Sequence, residues 1–174
     1  GGPKSIGKEI KPAEITQMAD GVWLGDMGTT LNGWMEFRLP EMEAGQEIML
    51  KYSDHFNDAG EIADMGQKDI YITSGQPDEL FRNKFNYHSF RYVRISILSY
   101  KPEPENLSAY LIYPDFRNTS SFERCDPHII IIHYLIQYTF HCLTLGGYMV
   151  DCPHIERMRY GGSGPASKQT INTM

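Results

Sequence analysis

The chain has 174 residues, enough for one domain or for one domain and a piece of another. Its 22 acidic residues outweigh 16 lysines and arginines, giving a net charge of −6. This argues against nucleic acid or an anionic membrane as the main partner, because phosphate binding calls for a basic face. A neutral, polar ligand suits the composition better, and the 41% of apolar residues are enough to build a core.

Residues 1–20 are polar, contain two prolines, and read as an extended lead-in. Gly21-Val22-Trp23-Leu24-Gly25-Asp26-Met27-Gly28 opens a pattern of strands and turns, with Asn32-Gly33 as a turn signal. Trp34–Leu39 and Glu47–Tyr52 alternate apolar and polar residues, as strands with one buried face do. A polar loop spans 53–67, and further strands are expected at 69–73, 80–87, 92–98 and 107–113. Seven or so short strands at this spacing predict a mainly β fold, an antiparallel jelly-roll-like sandwich. Trp23 and Trp34 read as core residues rather than sugar platforms, since tryptophans in short strands usually pack. Asp54, Asp58 and Asp64 in the polar loop match no EF-hand spacing and read as solvated charge.

The period changes after Tyr113. Asp126-Pro127 is a helix start, with Asp as cap and Pro in the first turn. Ile129, Ile132, Ile136, Phe140 and Leu143 then recur on one face, and Ile130, Ile131, Tyr134, Leu135 and Tyr138 on another. The four consecutive isoleucines would suit a strand, but the length and cap favour a helix ended by Gly146-Gly147. A helix apolar on two sides expects to be covered by protein. For this chain that means folding back on the sandwich or homo-oligomer formation through residues 127–145. His133, Gln137 and His141 interrupt the apolar run, which is too short to span a bilayer.

Cys125, Cys142 and Cys152 form no CxxC pair and no disulfide framework, although a single bridge stays open. The six histidines show no HExxH pattern. No cofactor and no metal is expected. The stretch from Asp151 to Gly164 concentrates two carboxylates, two arginines, a tyrosine and a glycine run in fourteen residues. A sugar-cleaving site uses such groups: an acid for the leaving oxygen, acceptors for hydroxyls, and a ring to stack on.

Several of these motifs together resemble the bacterial α-L-rhamnosidases of glycoside hydrolase family 78. Asp26-Met27-Gly28 and Asn32-Gly33-Trp34 look like the entry to that family's β-sandwich. Phe85-Asn86-Tyr87-His88-Ser89-Phe90-Arg91-Tyr92-Val93 resembles its F-x-Y-H-G-F-R-Y-V signature, with Ser89 in the glycine position. Ser121–Pro127 is similar to the junction into the helical catalytic domain, and Leu145-Gly146-Gly147-Tyr148 leads on to Asp151-Cys152-Pro153. The resemblance covers about residues 21–167. It implies a lead-in over 1–20, a sandwich domain over 21–116, and over 117–174 a linker, the apolar helix and a loop that begin an (α/α)6 toroid.

The resemblance also implies an activity, inverting removal of terminal α-L-rhamnose from plant glycans, and hence a rhamnose-containing carbohydrate partner in the periplasm or outside the cell. In the family's D-C-P-x-R-E-R-x-G-[YW]-x-G-D loop, Glu156 matches the general acid and Asp151 a carboxylate that hydrogen-bonds rhamnose hydroxyls. Arg157 matches an arginine that braces the loop, and Tyr160 the stacking aromatic. Three positions depart from the pattern: Ile155 stands for an arginine, Arg159 for a glycine and Ser163 for the final aspartate. The family's general base is a glutamate far along the barrel, past Met174. The expectation is therefore a rhamnosidase fragment inactive on its own, with a carbohydrate-binding or scaffold sandwich as the alternative.

Overall fold

The computed structural model describes residues 4–82, 87–96, 101–114, 126–145 and 148–149. Residues 7–111 form one compact unit, and the remaining described segments belong to a second.

Eight strands make one sheet: β1 Lys4–Ile10, β2 Glu14–Ala19, β3 Val22–Arg38, β4 Glu47–Ser53, β5 Lys68–Ile72, β6 Leu80–Arg82, β7 His88–Ser96 and β8 Leu107–Pro114. The order is β1-β8-β3-β7-β4-β5, with β2 and β6 also paired to β3. The registers of β2, β6, β7 and β8 on β3, and of β4 on β7 and β5, are all antiparallel.

The long strand β3 explains how one sheet encloses a core. Residues 22–26 pair with β2 on one side and β7 on the other, whereas residues 33–37 pair with β8. Between Asp26 and Leu31 the register with β7 slips, and Gly28 takes a φ of +78°, open to glycine at little cost. The sheet curls there, so that both halves of β3 feed one interior, as in a sandwich whose strand passes from layer to layer. Met27, Leu31, Met35 and Phe37 of β3 meet Ile48 and Leu50 of β4, Phe90 and Val93 of β7, and Leu107 of β8. The alternation expected in the fourth strand is plain: Ile48, Leu50 and Tyr52 are buried while Met49 and Lys51 are only partly covered. The antiparallel β-sandwich predicted from the sequence is present.

One local expectation gains detail and another is corrected. The polar lead-in over 1–20 contains β1 and β2; its residues pair by backbone, and an exposed edge needs no apolar run. Asn32-Gly33 is no turn but lies inside β3, with Gly33 opposite Leu111 and His88. A Cβ on Gly33 would fall 1.9 Å from the Tyr110 carbonyl oxygen, so the glycine serves a close strand approach rather than a bend. Trp34 is buried and stacks on Tyr110 at 5.8 Å, a packing role, and Trp23 packs against the core as a partly buried neighbour.

In the second unit, α1 runs Pro127–Leu143. Asp126 caps it as expected, its Oδ1 accepting the His128 N–H at 2.8 Å. Its apolar side chains are largely exposed, Ile131 at 56% and Leu135 at 60%. Thr144–Leu145 (β9) and Tyr148–Met149 (β10) then pair antiparallel. Among the described residues no helix is long and apolar enough to cross a membrane.

Candidate functional site

Asp151, Glu156, Arg157 and Tyr160 all lie outside the described residues, as do Phe85-Asn86 of the signature and 121–125 of the junction. The signature residues that are described all fall in the sandwich, and there they pair with one another.

Arg91 donates from Nε to Asp26 Oδ1 at 2.9 Å and from an Nη to Oδ2 at 3.0 Å, a two-pronged pair between β7 and the bend of β3. Asp26 Oδ1 also accepts the Gly28 N–H at 2.7 Å, closing the turn at the slip in register. Two motifs 65 positions apart are thus one structural clasp. The Arg91 hydrogen bonds hold the Asp26 carboxyl below its ordinary value; desolvation opposes them and the Gly28 N–H assists. A depressed carboxylate stabilises the fold above its unfolded pKa, and the contribution is lost as pH falls through the lower folded value. Thermal melts should therefore drop below about pH 4. Asp26→Asn should melt about 3 °C lower near neutrality, a modest figure because solvent screens the partly exposed pair. The variant should also show a flatter acid limb. Parallel curves would remove Asp26 from the acid response.

A second polar group sits inside the core. Tyr52 donates to Asp69 Oδ2 at 2.7 Å, His88 Nε2 lies 3.1 Å from the same oxygen, and the Tyr52 and His88 rings stack at 4.1 Å. Burial, then the Asp69 charge, pushes the Tyr52 hydroxyl well above its ordinary value, so it stays a neutral donor. A histidine beside an aspartate invites a catalytic reading, but Tyr52 and His88 are each 1% exposed and Asp69 5%, leaving no route for substrate. The trio ties β4, β5 and β7 together. Beside it the Gln67 amide pairs with the Ser89 backbone in both directions, each bond 2.8 Å. The residue in the signature's glycine position is thereby held by its main chain.

One open cleft, of about 330 Å3, lies in the sandwich unit. Its floor is the sheet face turned away from the core. Leu24 of β3, Arg94 of β7 and Lys51 of β4 stand on one rung there, since Leu24 pairs with Arg94 and Arg94 with Lys51. Its rim is the loop between β4 and β5, which is a small built structure. Phe56 bridges to Ile62, Asn57 Oδ1 accepts the N–H groups of Ala59 and Glu61 at 3.0 Å, and Lys51 pairs with Asp64 at 3.0 Å. Phe56 also packs on Tyr92 at 4.5 Å between centroids. From the sequence Asp54, Asp58 and Asp64 of this loop read as solvated charge; the cleft is visible only through the cross-strand register. Among the described residues no three His, Cys, Asp or Glu side chains gather as a metal site.

Curled sheet, polar clasp and buried trio define an antiparallel β-sandwich domain with a cleft on its outer face. Residues 16–113 match the family described as the bacterial alpha-L-rhamnosidase concanavalin-like domain, and the chain belongs to that family. An alpha-L-rhamnosidase of Formosa agariphila is 29% identical over 168 residues, covering 91% of this chain and 18% of that protein. One of Streptomyces avermitilis is 26% identical over 137 residues. Among solved structures, the alpha-L-rhamnosidase from Dictyoglumus thermophilum matches 98% of this chain with a TM-score of 0.87 and 26% identity. The Streptomyces avermitilis enzyme complexed with L-rhamnose matches 98% with a TM-score of 0.86 and 25% identity. The chain spans 20% and 17% of those two chains.

Proposed function

We propose that this chain is a segment of an α-L-rhamnosidase, with the sandwich domain over about 21–116 and the opening of the catalytic domain over 117–174. The observation that supports it most is the match of solved α-L-rhamnosidases to 98% of the chain, well past the sandwich. The complex of one of them with L-rhamnose supports a rhamnose-bearing glycan as the ligand.

In this reading Glu156 is the general acid that protonates the departing oxygen, and Asp151 accepts hydrogen bonds from sugar hydroxyls. Arg157 braces the loop and Tyr160 offers a stacking face. An inverting reaction also needs a base on the opposite side of the ring, about 6.5–9.5 Å from the acid, with room for water between them. Arg159 and Ser163 work against the acid: a nearby cation favours ionised Glu156, and a serine cannot supply the negative charge that would hold the proton. The 174 residues alone therefore place one side of the reaction and leave water unactivated, which removes many orders of magnitude of rate.

The test is an aryl α-L-rhamnoside assay of the purified chain and of Glu156→Gln. The expected result is no release above buffer in either. Turnover by the chain that disappears in Glu156→Gln would reverse the inactivity and establish the acid in one step.

A further inference from the structure

We propose that the cleft on the outer face of the sandwich, lined by residues of the sandwich unit, is a binding site for a neutral 6-deoxyhexose unit of the glycan. The first ground is shape. A built concavity of about 330 Å3 lies at the small end of the range of small-molecule sites, suited to a single sugar ring. The rim is preorganised by the Phe56–Ile62 bridge and the Asn57 turn, so little ordering accompanies binding.

The second ground is the unused hydrogen-bonding capacity. Lys51 and Asp64 neutralise each other, but Arg94 and Glu61, which line the same cleft, make no side-chain hydrogen bond or ion pair among the described residues. Arg94 moreover stands directly opposite Lys51 in the ladder, a like-charge placement that costs stability when nothing intervenes. A guanidinium offers only donors and a carboxylate only acceptors. Together they match hydroxyl groups, each of which both donates and accepts. An anionic ligand fits less well, since the cleft's two cations are balanced by Glu61 and Asp64.

The third ground is the apolar part of the lining. Val22, Leu24 and Ile62 offer no partner to a hydroxymethyl group, but they suit a methyl. A deoxyhexose such as L-rhamnose has hydroxyls along one edge and a methyl at one corner. The site rests on the proposed function only for the identity of the sugar.

Titration of the isotopically labelled 174-residue chain, followed by amide NMR, tests it with L-rhamnose, L-mannose (the same sugar with a 6-hydroxyl) and D-galacturonate. For L-rhamnose, saturable shifts confined to residues around Val22–Leu24, Asn57–Asp64 and Arg94 are expected, with an affinity on the order of millimolar, as for other small ligands with few heavy atoms. L-mannose should bind about tenfold more weakly. Arg94→Leu, which keeps the stem's packing, and Glu61→Gln should each weaken rhamnose binding with an unchanged amide fingerprint elsewhere. Glu156→Gln should leave it intact, so a failed hydrolase assay and a failed cleft are told apart. Absence of rhamnose shifts in the wild-type chain at tens of millimolar overturns the proposal. So does galacturonate binding in preference to rhamnose, or shifts outside the cleft.

Discussion

Gly33→Ala is expected to be the most damaging small substitution in the sandwich, costing more than about 3 kcal/mol. The added Cβ would sit 1.9 Å from the Tyr110 carbonyl oxygen and 2.8 Å from its carbon. Both atoms are main chain, so no side-chain rotation relieves the contact, and either β3 or β8 must leave the ladder. Gly25→Ala is the natural control. Its nearest neighbour is a methyl of Val93 at 3.1 Å, which can yield, and about 1 kcal/mol is expected. Urea unfolding of the two variants checks the order. Equal midpoints for Gly33→Ala and wild type would mean that the two strands do not approach as closely as described.

Asp69→Ala is expected to cost about 3–5 kcal/mol, because one carboxylate serves two buried rings. Its loss leaves the Tyr52 hydroxyl without its acceptor and takes the carboxylate away from the His88 ring, both in a core closed to water. Tyr52→Phe should cost less, about 1–2 kcal/mol, since His88 still faces the charge. Asp69→Asn, which keeps one acceptor oxygen, should fall between them. Denaturant midpoints rank the three, and a ranking with Tyr52→Phe as the worst would move the centre of the cluster from Asp69 to the hydroxyl.

The elements that were legible in the sequence are those whose cause is local. Asp126-Pro127 carries its own cap and first turn, and Glu47–Tyr52 displays its buried face in its alternation. The long-range features were not legible for a common reason. Gly33 resembles a hairpin glycine unless its neighbour across the sheet is known. The clasp of Asp26 and Arg91, and the trio of Tyr52, Asp69 and His88, join residues that only the pairing of strands brings together. The cleft is of the same kind, since Leu24, Arg94 and Lys51 become neighbours only through the order β3-β7-β4. Asp151, Glu156, Arg157 and Tyr160 were identified by resemblance to a family loop, and the described structure bears on the domain that precedes them.

The central position of β3 also has a kinetic consequence. Its second half is completed by β8, near the far end of the sandwich sequence, so that rung cannot close until most of the intervening chain has been gathered. Topologies dominated by such distant partnerships fold slowly, and their half-made sheets expose unpaired edges to neighbours. A ribosome must therefore release β8 before β3 can find its last mate, and chaperone demand should peak in that interval.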